Sequence, residues 1–233
     1  MRLQPCILSV LACVAFVGHA ATTRAAELVI GDPAIYPAAQ NAFPFSTLPA
    51  YYGYQSTRYQ QVYAASAFNG PIDIRELVFY ATSNAQAPIL DGTIEVFLSV
   101  TDRGVNEISH RPFDDNLGTN TQWFSTLRGG YLLASSELVI GGVPFHFDPR
   151  QGNLLLDLRV NGAAPGQSGP FFAALSGAGA APVPFSRWHD FGTGYDNQGL
   201  VTGFRGSVAE PGTLVLLGIG LAGLALARRR LMA

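Results

Sequence analysis

Lysine is missing from all 233 residues, and charge of either sign is scarce at 13% of the chain. Between residues 27 and 208, nine arginines minus fifteen aspartates and glutamates leave a formal charge of −6. Binding a phosphate backbone needs clustered positive charge, so this balance argues against nucleic acid as a partner. Cysteine is nearly as sparse: Cys6 and Cys13 are the only two, and both lie in the N-terminal apolar stretch. Removal of that stretch would exclude disulfides, thiolate metal sites and cysteine nucleophiles together. Heptads, internal repeats and a convincing amphipathic helix of three turns in the centre are lacking as well. What the chain has in quantity is 26 Gly, 15 Pro, 15 Phe and 9 Tyr. Turn residues spaced between short apolar runs favour an all-β chain.

The two ends read as processing segments. Arg2 gives a small positive start, and residues 7–17 form an apolar run of signal-peptide length, too short to span a bilayer. Small residues follow, so residues 1–26 are expected to hold a signal peptide. Signal peptidase would accept a cut after Ala20, behind Gly18-His19, or after Ala25, behind Thr23-Arg24, and the sequence leaves both open. A lipoprotein reading through Leu11-Ala12-Cys13 ranks lower, because it leaves almost no apolar run before the cysteine.

At the other end, Ala209-Glu210-Pro211-Gly212 leads into a chargeless run that reaches residue 227, followed by Arg228-Arg229-Arg230. A helix over residues 212–227 would rise about 24 Å, slightly short of a ~30 Å hydrocarbon core, and flanking residues with local thinning absorb the difference. The arginines stay cytoplasmic, which places the body of the protein outside. Gly218, Gly220 and Gly223 are ordinary membrane-helix glycines.

Residues 209–233 resemble the PEP-CTERM sorting signal of exosortase systems, which joins a Pro-Glu-Pro-like motif, a transmembrane helix and a terminal arginine cluster. Ala209 replaces the first proline of that motif. The resemblance implies recognition at the inner membrane by a membrane-embedded, cysteine transpeptidase-like exosortase. Cleavage near the motif and delivery to the envelope, surface or matrix of an exopolysaccharide-producing Gram-negative bacterium would result.

Residues 27–208 are expected to form one domain, long enough to bury its own core. The clearest strands are 93–100 and 154–160, where Ile94, Val96, Leu98 and Val100, then Leu154, Leu156, Leu158 and Val160, alternate with outward residues. Further strands are expected at 59–68, 72–81, 122–127, 131–140, 171–175, 184–189 and 200–205. Turns are expected at Asn69-Gly70-Pro71, Leu90-Asp91-Gly92, Arg128-Gly129-Gly130 and Gly141-Gly142. A change of apolar phase after Ile74 predicts a bulge near Arg75-Glu76. About nine short one-faced strands are best buried as two packed sheets, a β-sandwich of jelly-roll type, with a barrel as the second choice. Residues 35–54 show no alternation and read as a loop lid or extended arm. The phrases Tyr59-Gln60-Gln61-Val62-Tyr63, Pro144-Phe145-His146-Phe147-Asp148-Pro149 and Gly152-Asn153-Leu154-Leu155-Leu156-Asp157 are similar to a group of PEP-CTERM proteins without a defined activity.

Catalytic chemistry finds little support, and no catalytic or metal-ligating residue is assigned. His110, His146 and His189 lack close-spaced partners for a metal. Glu95, Glu107, Asp114 and Asp115 are the only notable carboxylates for a glycosidase pair, and neither a nucleophile elbow nor a phosphate loop occurs. Two oxygen-rich loops, one with Asp114, Asp115, Asn116 and Asn120 and one with Asp190, Asp196, Asn197 and Gln198, make calcium the one candidate ion, although neither fits a calcium-loop pattern. Trp123 and Trp188 are the candidate glycan-stacking residues, with Tyr51, Tyr52, Tyr54, Tyr59 and Tyr63 as a further aromatic group. The reading is an exported, non-enzymatic structural or adhesive protein. An exopolysaccharide-binding module is the alternative, and a polysaccharide hydrolase ranks last.

Overall fold

A computed structural model describes residues 24–35, 40–46, 56–83, 88–109, 112–130, 133, 135–162, 169–175, 183–190 and 199–208. Residues 1–23 of the leader expected over residues 1–26, and the tail from Ala209 onward, lie outside the described residues, while Arg24, Ala25 and Ala26 belong to the first strand. Among the described residues, no helix is long and apolar enough to cross a membrane. The described residues form eleven strands: β1 (Arg24–Ile30), β2 (Gln40–Asn41), β3 (Thr57–Tyr63), β4 (Ile72–Ser83), β5 (Thr93–Thr101), β6 (Gln122–Arg128), β7 (Glu137–Phe147), β8 (Asn153–Asn161), β9 (Phe171–Ala173), β10 (Phe185–His189) and β11 (Thr202–Val208). Short 3-10 turns occur at Pro33–Ile35, Ala65–Ala67 and Phe113–Asn116.

The described residues are all-β, in two sheets. One runs β1-β11-β4-β9-β2, with β7 also paired to β4, and the other runs β10-β3-β8-β5-β6. Every strand pair is antiparallel. Successive strands lie in opposite sheets at every step from β2 to β11 except β5 to β6, an alternation that lets each sheet cover the other's apolar face. The alternating residues of β5 and β8 do this as their period of two requires: Ile94, Val96, Leu98, Leu154, Leu156, Leu158 and Val160 all enter the shared core. From the other sheet come Ile74, Leu77, Phe79, Phe147 and Phe204. Aromatic rings fill much of the space between: Tyr63 meets Phe204 edge-on at 5.0 Å, and Phe68 meets Phe147 at 4.6 Å.

The bulge expected in β4 is present. Glu76 pairs with Arg205 and Ile74 with Gly206, so Arg75 has no place in the ladder, and the same break appears against β7. Other boundaries differ from the pattern for physical reasons. The strand expected to run to residue 68 stops at Tyr63, because the Ala64 and Ala65 N–H groups donate to the Pro184 carbonyl (2.8 Å) and Asn153 Oδ1 (2.8 Å). The strand expected at 131–140 begins at Glu137 and continues to Phe147, straight through Gly141-Gly142, where the glycine pair predicts a turn. Gly142 serves close approach, since a Cβ there would lie 2.4 Å from the Phe124 carbonyl oxygen, whereas a Cβ on Gly141 would meet open space. Here the two outer strands β6 and β7 are joined by side chains: Ser125 Oγ donates to the Gly141 carbonyl (2.7 Å) and Gln122 Nε2 to the Pro144 carbonyl (3.2 Å).

Gly129 closes the turn after β6, with its N–H donating to the Gly92 carbonyl (2.9 Å). A Cβ there would lie 1.5 Å from the Leu90 carbonyl oxygen, so any side chain must push two backbones apart. Gly129→Ala is expected to cost about 2 kcal/mol, which lowers the thermal midpoint of a domain this size by roughly 4–8 °C in a calorimetric scan.

Candidate functional site

The outer face of the five-stranded sheet carries the side chains with functional character. Registers across the strands place Trp188, Gln60, Asp157, Phe97 and Trp123 on one continuous row from β10 to β6. Both tryptophans of the chain therefore stand on the same rung, at opposite edges and about 19 Å apart for four strand spacings. Their surroundings differ. Trp188 is 8% exposed and packs with Val62, Ile108, Phe113 and Leu155 in a small second core. The segment between β5 and β6 folds over that half of the sheet and makes this cover. Trp123 is 47% exposed, and its indole N–H donates to Thr126 Oγ1 (3.1 Å) on the same strand, which fixes the ring's orientation.

Between them lies a charged cluster. Asp157 is expected to face outward, and it does lie on the outer face, yet two guanidinium groups bury it. Arg58 donates through Nε and Nη2 to its two oxygens (2.7 and 2.8 Å), and Arg159 donates through Nε to Oδ2 (3.0 Å). Arg58 also reaches Asp114 (2.8 Å). Burial works against the charge of Arg58, but the bonds and charges of Asp157 and Asp114 outweigh it and raise its pKa. The Arg58 bond lowers the pKa of Asp114 in turn. Each guanidinium also lies over an aromatic ring, Arg58 over Phe113 at 5.2 Å and Arg159 over Phe97 at 4.3 Å. The open half of the face is thus Trp123, then Phe97 under Arg159, bordered by Glu95 and Thr126 on the neighbouring row.

The other candidates are dispersed. Tyr59 and Tyr63 are fully buried, and Tyr51, Tyr52 and Tyr54 lie outside the described residues. Burial pushes the Tyr63 hydroxyl well above the usual tyrosine range. His146 Nδ1 meets Asp73 Oδ1 at 2.7 Å on the surface, His189 packs beside the Phe43 ring at 5.0 Å, and His110 lies outside the described residues. Glu107 accepts the Gly104 N–H (3.1 Å). In the first oxygen-rich loop, the Asp115 carbonyl accepts from Arg103 (3.2 Å), and the Asn116 side chain bonds Gln60 and the Ser109 backbone. Asn120 Oδ1 accepts the Val100 N–H (2.8 Å). In the second, Asp190 accepts the Arg58 N–H (2.9 Å), and Asp196, Asn197 and Gln198 lie outside the described residues. Among the described residues, no three His, Cys, Asp or Glu side chains converge as metal ligands would.

The six-stranded sheet has its own outer cluster, which the sequence pattern did not reveal. Arg205 on β11 meets Glu137 (2.9 Å), Glu27 on β1 (3.3 Å) and Glu76 on β4 (3.9 Å). The Glu137 bond contributes most to its raised pKa. Tyr80 donates to Glu27 (2.9 Å); burial and that bond raise its pKa. These contacts fasten β1 to β11, whose last residue, Val208, immediately precedes the expected sorting residues Ala209, Glu210, Pro211, Gly212, Arg228, Arg229 and Arg230. Those seven lie outside the described residues.

Comparison with known families gives one result: the PEP-CTERM protein-sorting motif matches residues 207–230. The chain carries this sorting signal, which marks it for export and for sorting to the envelope or surface through an exosortase-type system. No curated protein and no solved structure matches the chain. The matched segment begins inside β11, so the motif and the domain share Ser207 and Val208.

The two tryptophans should respond in opposite ways to truncation. Trp188→Ala is expected to cost about 3 kcal/mol by emptying the second core, whereas Trp123→Ala stays within about 0.5 kcal/mol of the parent. Urea denaturation followed by circular dichroism measures both.

Proposed function

We propose that this chain is a non-enzymatic structural or adhesive protein of the cell envelope or extracellular matrix. The sorting motif joined directly to the end of an all-β domain carries that reading. An N-terminal leader cut by signal peptidase would start export. A helix over residues 212–227, with Arg228, Arg229 and Arg230 on the cytoplasmic side, would hold the domain outside the inner membrane until an exosortase-type enzyme releases it. The alternation of strands between the sheets supports a jelly-roll type of sandwich. The use of Asp114, Asn116, Asp157 and Asp190 in internal bonds supports a structural rather than a catalytic role for the polar loops.

One observation favours a second reading, that of a module binding exopolysaccharide. Trp123 presents an exposed indole beside Phe97 and Arg159, and sugar rings stack on such apolar faces while neighbouring polar groups orient them. Trp188, buried under its loop, is the weaker half of the candidate pair.

Deleting residues 209–233 tests the sorting reading. The expected outcome is loss of the processed form and accumulation at a different location, seen by mass spectrometry and cell fractionation; unchanged mass and location would refute it. For the second reading, pull-down on the producing strain's exopolysaccharide is expected to fall at least tenfold in Trp123→Ala, with folding retained.

A further inference from the structure

Strand β1 begins at Arg24, four residues after one of the two acceptable leader cuts and before the other. Its ladder with β11 runs without a break from Arg24 opposite Val208 to Ile30 opposite Thr202. β1 is built into the domain: Ile30 is buried in the main core, Leu28 packs against that core, and Glu27 is held by Arg205 and Tyr80. At its other end, β1 borders the sorting motif. Ser207 and Val208 belong both to the matched motif and to the ladder, with Ala25 and Arg24 on one side and Asp73 and Ile72 on the other.

The two cuts therefore leave different proteins. A cut after Ala25 removes Arg24 and Ala25, two of the seven residues of β1. It strips one flank of β11 where that strand runs into the motif and leaves Ser207 and Val208 without strand neighbours on that side. A cut after Ala20 leaves Ala21, Thr22 and Thr23 ahead of an intact strand.

We infer that signal peptidase hydrolyses the Ala20–Ala21 bond, so that the mature chain starts at Ala21 and keeps the whole of β1 as the flank of the sorting motif. Water adds its hydroxyl to the Ala20 carbonyl carbon and a proton to the Ala21 nitrogen, releasing a carboxylate-terminated leader and a new α-amino group. The assignment rests on the proposal that the chain is exported through a cleaved leader.

N-terminal sequencing of the full-length protein, expressed in its exporting host and recovered from the envelope and medium, tests it. The expected first residue is Ala21. A chain starting at Ala26 overturns the assignment while leaving export intact, a chain retaining Met1 overturns the leader reading itself, and any other start overturns the assignment too. Two variants give a second test that needs no folding, because the leader is cut during translocation. Ala20→Phe, which places a large side chain where the peptidase needs a small one, is expected to accumulate precursor. Ala25→Phe is expected to be cut at the parental position. Normal processing of the first variant, or precursor accumulation only in the second, overturns the inference.

Discussion

The Gln61 carboxamide holds the two sheets in register. Its side chain projects from β3 into the core, where Nε2 donates to the Leu200 carbonyl (2.8 Å) and Oε1 accepts the Leu200 N–H (2.8 Å). One side chain thus satisfies both backbone groups of a residue just ahead of β11. Tyr59 donates to the same Gln61 oxygen, Thr202 Oγ1 bonds the Leu200 carbonyl, and the Tyr63 hydroxyl meets Thr202 at 2.7 Å. Unpaired polar groups at this depth would each cost about 1–3 kcal/mol, so the network specifies a single position for the segment entering β11. The C-terminal end of the domain depends on that position: β11 carries β1 on one flank and β4 on the other, and the sorting motif begins within its last two residues.

The outer faces of both sheets are organised around arginine. Arg58 and Arg159 converge on Asp157, and Arg205 gathers carboxylates from three other strands. A guanidinium suits these places because its planar fork bonds two oxygens at once and its faces stack on rings. A chain without lysine can still tie strands together across exposed surfaces in this way. The same arrangement occupies Arg58, Arg159 and Asp157 at the centre of the five-stranded sheet and leaves the Trp123 edge as its open aromatic part.

Much of the architecture was legible in the residues. Alternation along residues 93–100 and 154–160 gave the strands and their buried faces, and the phase change after Ile74 located the bulge. These signals are local, so composition and period were enough. The expected turn at Gly141-Gly142 illustrates the opposite case: a glycine pair marks either a reversal or a close neighbour, and only the packing of β6 against β7 distinguishes them. β1 was hidden because Arg24, Ala25 and Ala26 also suit the end of a leader, and its pairing partner lies some 180 residues away. The candidate site was half legible. Sequence could nominate Trp123 and Trp188 but could not tell that a loop covers one of them. Asp157 and Arg159 looked like ordinary outward residues until the register placed Arg58 beside them. The tail was the most readable segment, because its signal lies in the order of its parts and needs no tertiary contact.

The join between β6 and β7 has a bearing on crowding. Both strands end their sheets, and a bare strand border invites another chain to add to it. Here each border is turned toward the other and tacked by Ser125 and Gln122, with Gly142 allowing the gap to close. Molecules gathered densely outside a cell then meet side chains at that flank instead of open main-chain hydrogen-bonding groups, and they can lie side by side without zipping into fibres there.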